Sequence, residues 1–281
     1  MLHILTVHWN EDKWIDIQIK YLSKYIHTPY KIYAFLDGVS EVHRGKFFYS
    51  STAPAKTHAE KLNTLADLVC SNAESPDDRI VFIDGDAFPI GNVMDFGNRK
   101  LDDFPLIAIQ RKENNGDCQP HPSFCLTTVR FWKDIKGDWK SGYKWRNPQG
   151  KLVTDVGGNL LEQLREKEID WYPMLRSNQY NLHPVFFGIY DNLVYHHGGG
   201  FREAISRQDV EINLGATKHF LLPIFDKLPN TGLIGKFRKR YHPWNSLKSV
   251  INYNQSLSDD VFRLIRADME FYSHFESIKK S

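Results

Sequence analysis

Four short stretches, HILTVHW (3–9), YKIYAFLDG (30–38), RIVFI (79–83) and PLIAIQR (105–111), are largely apolar, and helix-like sequence separates the first three. A strand with one wet face alternates apolar and polar residues. These runs do not, so the sheet they build is covered on both faces. After the first run, Asn10-Glu11-Asp12 opens an amphipathic stretch with Trp14, Ile17, Tyr21 and Leu22 near helical spacing. Before the third, THAEKLNTLADLVCSNA (57–73) has Thr57 placed as a cap and Glu60 three residues on. Leu62, Leu65, Ala66 and Val69 form its apolar stripe. Strand, helix, strand in this order predicts an α/β fold, a mostly parallel sheet flanked by helices. Ligands of such sheets bind beyond the carboxyl ends of the strands.

The later sequence is more mixed. TDVGGNLLEQLREKEI (154–169) reads as a helix entered through a turn, and NLVYHHGGGFRE (192–203) as a strand running into three glycines. Beyond Ser206 the pattern is helix and loop, ending in a helix over 257–278. We therefore expect a domain over 1–205 and a helical extension over 206–281. The 281 residues suffice for that arrangement, and a formal charge of +2 is too small to argue for nucleic acid. Three cysteines, Cys70, Cys118 and Cys125, are odd in number and lack zinc-ligand spacing, which points to a reducing, cytoplasmic setting. MLHILTVHWNEDKW has no basic leader and only a short apolar run, so it reads as neither signal peptide nor membrane span.

The third strand ends in an unusual way. RIVFIDGDAFPI runs from apolar residues straight into Asp84-Gly85-Asp86 and returns at once to apolar residues. Side chains at i and i+2 of a strand point to the same side, and Gly85 leaves the backbone between them open. Two carboxylates about 4 Å apart repel by a few kcal/mol at an effective dielectric near 20. A hard dication such as Mg²⁺ or Mn²⁺ removes that cost and suits oxygen ligands. A solvated turn is the plain alternative. An EF-hand is not, because Pro89 stands where the loop glycine belongs and Asp95 where the closing glutamate belongs. A haloacid-dehalogenase-like phosphatase also places Asp-x-Asp after an apolar strand. That signature continues Gly-Thr at the first strand, whereas Ala87-Phe88 follow here, behind two earlier strands.

With the aspartate pair so placed, the chain resembles the GT-A fold glycosyltransferases. A second anchor is HHGGGFR, which is similar to the late strand of the glycogenin and lipopolysaccharide galactosyltransferase group, where histidine, glycine and a basic residue follow at fixed offsets. The resemblance implies a metal-dependent transferase using a nucleotide-diphospho-sugar, a UDP-sugar first, with a glycan or cell-surface polysaccharide precursor as acceptor. It assigns Asp84, Asp86 and either His196 or His197 to the metal, and Asp84 and Gly85 to the donor. Gly198, Gly199 and Gly200 would present backbone N–H groups to the diphosphate. Arg202 would stabilise the leaving group in place of the family's lysine. The proline and tryptophan that usually follow are Glu203 and Ala204 here. A domain of the same fold that binds nucleotide or glycan without turnover is the alternative.

Further candidates surround these anchors. His58 and Lys61 lie one turn apart on a helix face that related folds turn toward the donor phosphates. Asp37, at the end of the second strand, is a contact for base or ribose, and Arg111, after the fourth, for donor sugar or phosphate. Asp155 is the first choice for a polar role toward the transferred sugar or acceptor, ahead of Asp117 and Glu113; a simple helix cap is its other reading. The basic, aromatic stretch over 235–244 suits anionic lipid headgroups or a phosphate-bearing acceptor, with a solvated loop as alternative.

Overall fold

The computed structural model describes residues 1–148, 150–200, 224, 227–229, 231–241 and 243–276. The chain forms two compact units, Met1–Phe201 with Tyr272–Ser281, and Arg202–Phe271.

In chain order, the first unit contains strands β1 (Leu2–Trp9), β2 (Tyr30–Asp37), β3 (Tyr49–Ser51), β4 (Arg79–Asp84), β5 (Ala87–Pro89) and β6 (Leu106–Ile109). Then come β7 (His121–Thr128), β8 (Trp145–Arg146), β9 (Leu152–Val153), β10 (Tyr172–Met174), β11 (Gly188–Tyr190) and β12 (Val194–His196). Its helices are α1 (Ile15–Tyr25), α2 (His58–Asn72), α3 (Val93–Leu101), α4 (Val129–Ile135) and α5 (Gly158–Glu166). The second unit contributes α6 (Gly232–Tyr241) and α7 (Pro243–Ala267).

Seven strands make one sheet in the order β10-β6-β7-β4-β1-β2-β3. Every neighbour pair is parallel except the two that β7 makes with β4 and β6. This is the mostly parallel α/β sheet that the apolar strands predict. The reason is visible in β1. Leu2 and Ile4 pack on one face with Ile15 and Leu22 of α1; Leu5 and Val7 pack on the other with Leu62, Leu65 and Val69 of α2. Both faces are therefore buried, and a strand that alternated polar residues would have left them unsatisfied. α2 begins with the reciprocal cap its sequence suggests: Glu60 N–H donates to Thr57 Oγ1 at 3.1 Å and Thr57 N–H to the Glu60 carboxylate at 3.2 Å.

Several boundaries differ from the sequence reading. α1 starts only at Ile15, with no side-chain cap from Asn10, Glu11 or Asp12. β7 begins within RKENNGDCQPHPSF (111–124), a stretch polar enough to read as a loop, since Ser123 and His121 are buried and bonded to each other at 2.9 Å. The strand expected to run into the three glycines spans only Val194–His196. The terminal helix runs from Pro243 to Ala267 rather than over 257–278. Proline suits a helix's first turn, where its missing N–H has no partner to lose.

Candidate metal centre

β4 delivers Asp84 to the carboxyl end of the sheet, and a turn through buried Gly85 and Asp86 leads into β5. β5 pairs antiparallel with β12, setting His196 opposite Ala87 and Tyr195 opposite Phe88. Pro89 is tolerated because β5 is an edge strand of the three-stranded β11-β12-β5 sheet. This register brings a histidine from 110 positions downstream (196 − 86) beside the aspartate pair.

One donor atom each from Asp84, Asp86 and His196 lies within 4.8 Å of the other two. His196 Nε2 stands 3.6 Å from Asp84 Oδ2 and 3.6 Å from Asp86 Oδ1. These separations are too long for hydrogen bonds. They leave the three donor atoms near enough to one another that a single cation could take all of them as ligands. The outer oxygens are already engaged. Asp84 Oδ1 accepts from His58 Nε2 at 2.9 Å, and Asp86 Oδ2 accepts from Gly200 N–H at 2.9 Å. Each carboxylate is thus turned so that its second oxygen faces the imidazole. Two oxygens and one nitrogen in this arrangement are a donor set that fits Mn²⁺ or Mg²⁺.

The charge states agree with that use. Burial opposes ionisation of Asp84, but the imidazoles of His58 and His196 outweigh it and hold the carboxyl below the usual range. Burial lowers His196, against the opposing pull of Asp86, so the ring is neutral and able to offer a lone pair at neutral pH.

His197 is not part of the cluster. Its ring lies against Trp14 and Phe187, with centroids 4.6 and 4.9 Å away, and its Nδ1 meets the Tyr195 hydroxyl at 3.0 Å. Adjacent strand residues point to opposite sides, so only one histidine of the pair can face the aspartates. Gly200 also differs from its expected part. Gly200 N–H is spent on Asp86, and its carbonyl accepts from Trp14 Nε1 at 3.0 Å. Gly198 and Gly199 carry the chain there with φ of +74° and +75°. Lys61 and Asp37, read separately as donor contacts, form an ion pair with each other, the ammonium 5.8 Å from the centre of the Phe35 ring. Arg202 lies outside the described residues.

A second polar group involves Arg111, Glu113, Asp117, Asp155 and Tyr190. Although burial opposes it, the charged form of Arg111 is favoured by Tyr190, Glu113, Asp155 and Asp117, and its Nε is buried without a hydrogen-bond partner. Tyr190 donates to Glu113. Asp117 is fully buried; burial and then the nearby Asp155 push its carboxyl up to about 7, against the Gln119 N–H that it accepts at 3.0 Å. Asp155 is not a helix cap. Gly157 takes that position on α5, and Asp155 Oδ1 accepts from Val156 N–H.

The sequence reading missed Gln18. Its amide, 1% exposed, donates to the carbonyls of Asp84 at 2.7 Å and Ala87 at 2.9 Å, the two ends of the aspartate turn. Its oxygen accepts from Thr6 Oγ1 at 3.0 Å and His8 Nε2 at 3.2 Å. The available signal was a glutamine on the buried stripe of α1, facing Thr6 and His8 of a mostly apolar strand.

No family model and no curated protein matches the chain. Among solved structures it is similar to the mannosyltransferase PcManGT from Pyrobaculum calidifontis in complex with GDP-Man and Mn²⁺. That match has 10% identity and a TM-score of 0.48, covering 95% of this chain and 75% of that one. S. aureus TarS, residues 1–349, matches at 14% identity and TM-score 0.42, over 98% of this chain and 90% of that one. The galactosyltransferase LgtC, in complex with donor and acceptor sugar analogs, matches at 13% identity and TM-score 0.35, over 58% and 70%. These likenesses are all below 15% in identity and below 0.5 in TM-score, and the chain's own residues must carry any reading of its function.

Proposed function

We propose that the protein is a metal-dependent glycosyltransferase, moving a sugar from a nucleotide-diphospho-sugar to an acceptor hydroxyl. The observation that carries this is the convergence of Asp84, Asp86 and His196 on one point at the carboxyl end of β4. A dication held there would offset the negative charge that develops on a departing nucleoside diphosphate. The chain's own part is to keep the ligands in place before the donor arrives. His58 and Gly200 fix the outer carboxylate oxygens, and Gln18 fixes the turn between them. Preorganisation of this kind favours the transition state without rearrangement during the reaction.

The Arg111, Glu113 and Asp155 group supplies polar contacts for the transferred sugar and acceptor. Asp155 and Arg111 are partly exposed, whereas Asp117 is fully buried and tunes them electrostatically. A UDP-sugar is the first donor to test and a glycan the first acceptor.

A thermal-shift screen of UDP-, GDP-, CMP- and ADP-sugars, with and without Mn²⁺, tests the reading. A true donor at about a hundred times its Kd adds nearly 3 kcal/mol of stability. We expect one donor to stabilise the protein only with Mn²⁺ and to be hydrolysed or transferred, both effects disappearing in Asp86→Asn. Full turnover in EDTA would contradict the mechanism. Binding without hydrolysis or transfer to any acceptor would instead indicate a non-catalytic module.

A further inference from the structure

α6 in the second unit is amphipathic with its apolar side outward. In GLIGKFRKRY, Leu233, Ile234 and Phe237 fall within one arc of the helix at 100° per residue. They are 84%, 50% and 52% exposed, whereas Gly235, roughly half a turn from Leu233 and Phe237, is buried. A helix packed in a soluble protein does the reverse, burying its large apolar side chains. Cations border the exposed arc: Lys236 and Arg240 on one side and Arg238, which also donates to the Leu228 carbonyl at 2.8 Å, on the other. Lys239 lies behind, and the helix contains no acidic residue.

We propose that α6 is a reversible docking helix for anionic membrane surfaces. The arc of Leu233, Ile234 and Phe237 would sit at the boundary of headgroups and acyl chains, with the flanking cations on lipid phosphates. The two features select this occupant together. A nucleic acid would use the cations but offer nothing to Leu233 and Ile234. A second copy of the same face would set like charges against each other. Among the described residues no helix is long and apolar enough to cross a membrane, so contact through α6 is of the surface kind. The inference is independent of sugar transfer and survives its failure.

Sedimentation of the full chain with lipid vesicles tests it, using phosphatidylcholine alone or mixed with phosphatidylglycerol. We expect binding to the mixed vesicles only, weakening with salt. Lys236→Ser and Arg240→Ser should each weaken binding roughly fivefold, whereas Lys239→Ser, on the far side of the helix, should change it little. Leu233→Ser with Phe237→Ser should weaken it at least about tenfold. In Phe237→Trp, emission should move to shorter wavelength with mixed vesicles and stay unchanged with neutral ones. These substitutions are at exposed positions, and circular dichroism checks that each variant is folded. Absent binding, equal affinity in the variants other than Lys239→Ser, or a preference for nucleic acid, an acidic protein or a second copy through this face would overturn the proposal.

Discussion

Gly200 occupies a point where no side chain fits. A Cβ there would lie 2.7 Å from Asp86 Oδ2, 2.7 Å from Asp86 Cβ and 2.7 Å from Trp14 Nε1, so something must shift. Gly200→Ala should therefore turn the Asp86 carboxylate and weaken Mn²⁺ binding about 10- to 100-fold, the usual effect of disturbing groups that orient ligands. Calorimetric titration measures it, and an unchanged affinity would refute the role given to Gly200. The histidine pair provides a sharper contrast. His196→Ala should abolish Mn²⁺ binding, while His197→Phe should leave it intact and reduce only stability. From sequence, the aspartate pair was legible because charges directly after a buried strand are rare. Which histidine faces it was not, because that depends on the β12–β5 register, and three consecutive glycines hide where the strand ends.

At the scale of elements, one side chain joins α1 and β1 to the turn between β4 and β5. Gln18 makes four hydrogen bonds across them, and replacing it with leucine leaves the carbonyls of Asp84 and Ala87 without their donor. We expect Gln18→Leu to cost roughly 1–3 kcal/mol for each carbonyl left unsatisfied. Mn²⁺ affinity should fall as well, since the turn that aims both aspartates is loosened. Denaturant melts read the first effect and Mn²⁺ titration the second; loss of stability with full affinity would make Gln18 merely structural. The apolar strands and α2 could be read directly, because burial on both faces and a capping box are local signals. β7 could not, since its first residues, His121, Pro122 and Ser123, look like a loop until neighbouring strands bury them.

For the whole molecule, buried histidines tie stability to pH. Burial lowers His8 to about 4, and lowers His121 and His197 well below the ordinary imidazole value. Below pH 6.5 the unfolded chain takes up protons at these three positions that the folded one refuses, so their contribution to stability falls as pH drops, while Asp117, held up to about 7, works the other way. For His8 the loss develops between pH 6.5 and 4 and amounts to about 3 kcal/mol. Urea denaturation at pH 7.5 and pH 5 should show the lower value at pH 5, with a smaller difference in His8→Gln. Equal stability at both would argue against neutral, buried imidazoles. The sheet, its two covered faces and the edge at which Asp84 emerges follow from patterns spread along the first hundred residues. The outward apolar face of α6 does not, since sequence periodicity alone cannot say which side of a helix meets water.

The central claim is that Asp84, Asp86 and His196 share one dication. Electron paramagnetic resonance of free Mn²⁺ during titration of the protein, with and without a nucleoside diphosphate, tests it most directly. The account predicts one ion bound per chain, more tightly with the diphosphate, and no detectable binding in Asp86→Asn. Equal binding by both proteins, or none by the wild type under either condition, would contradict it.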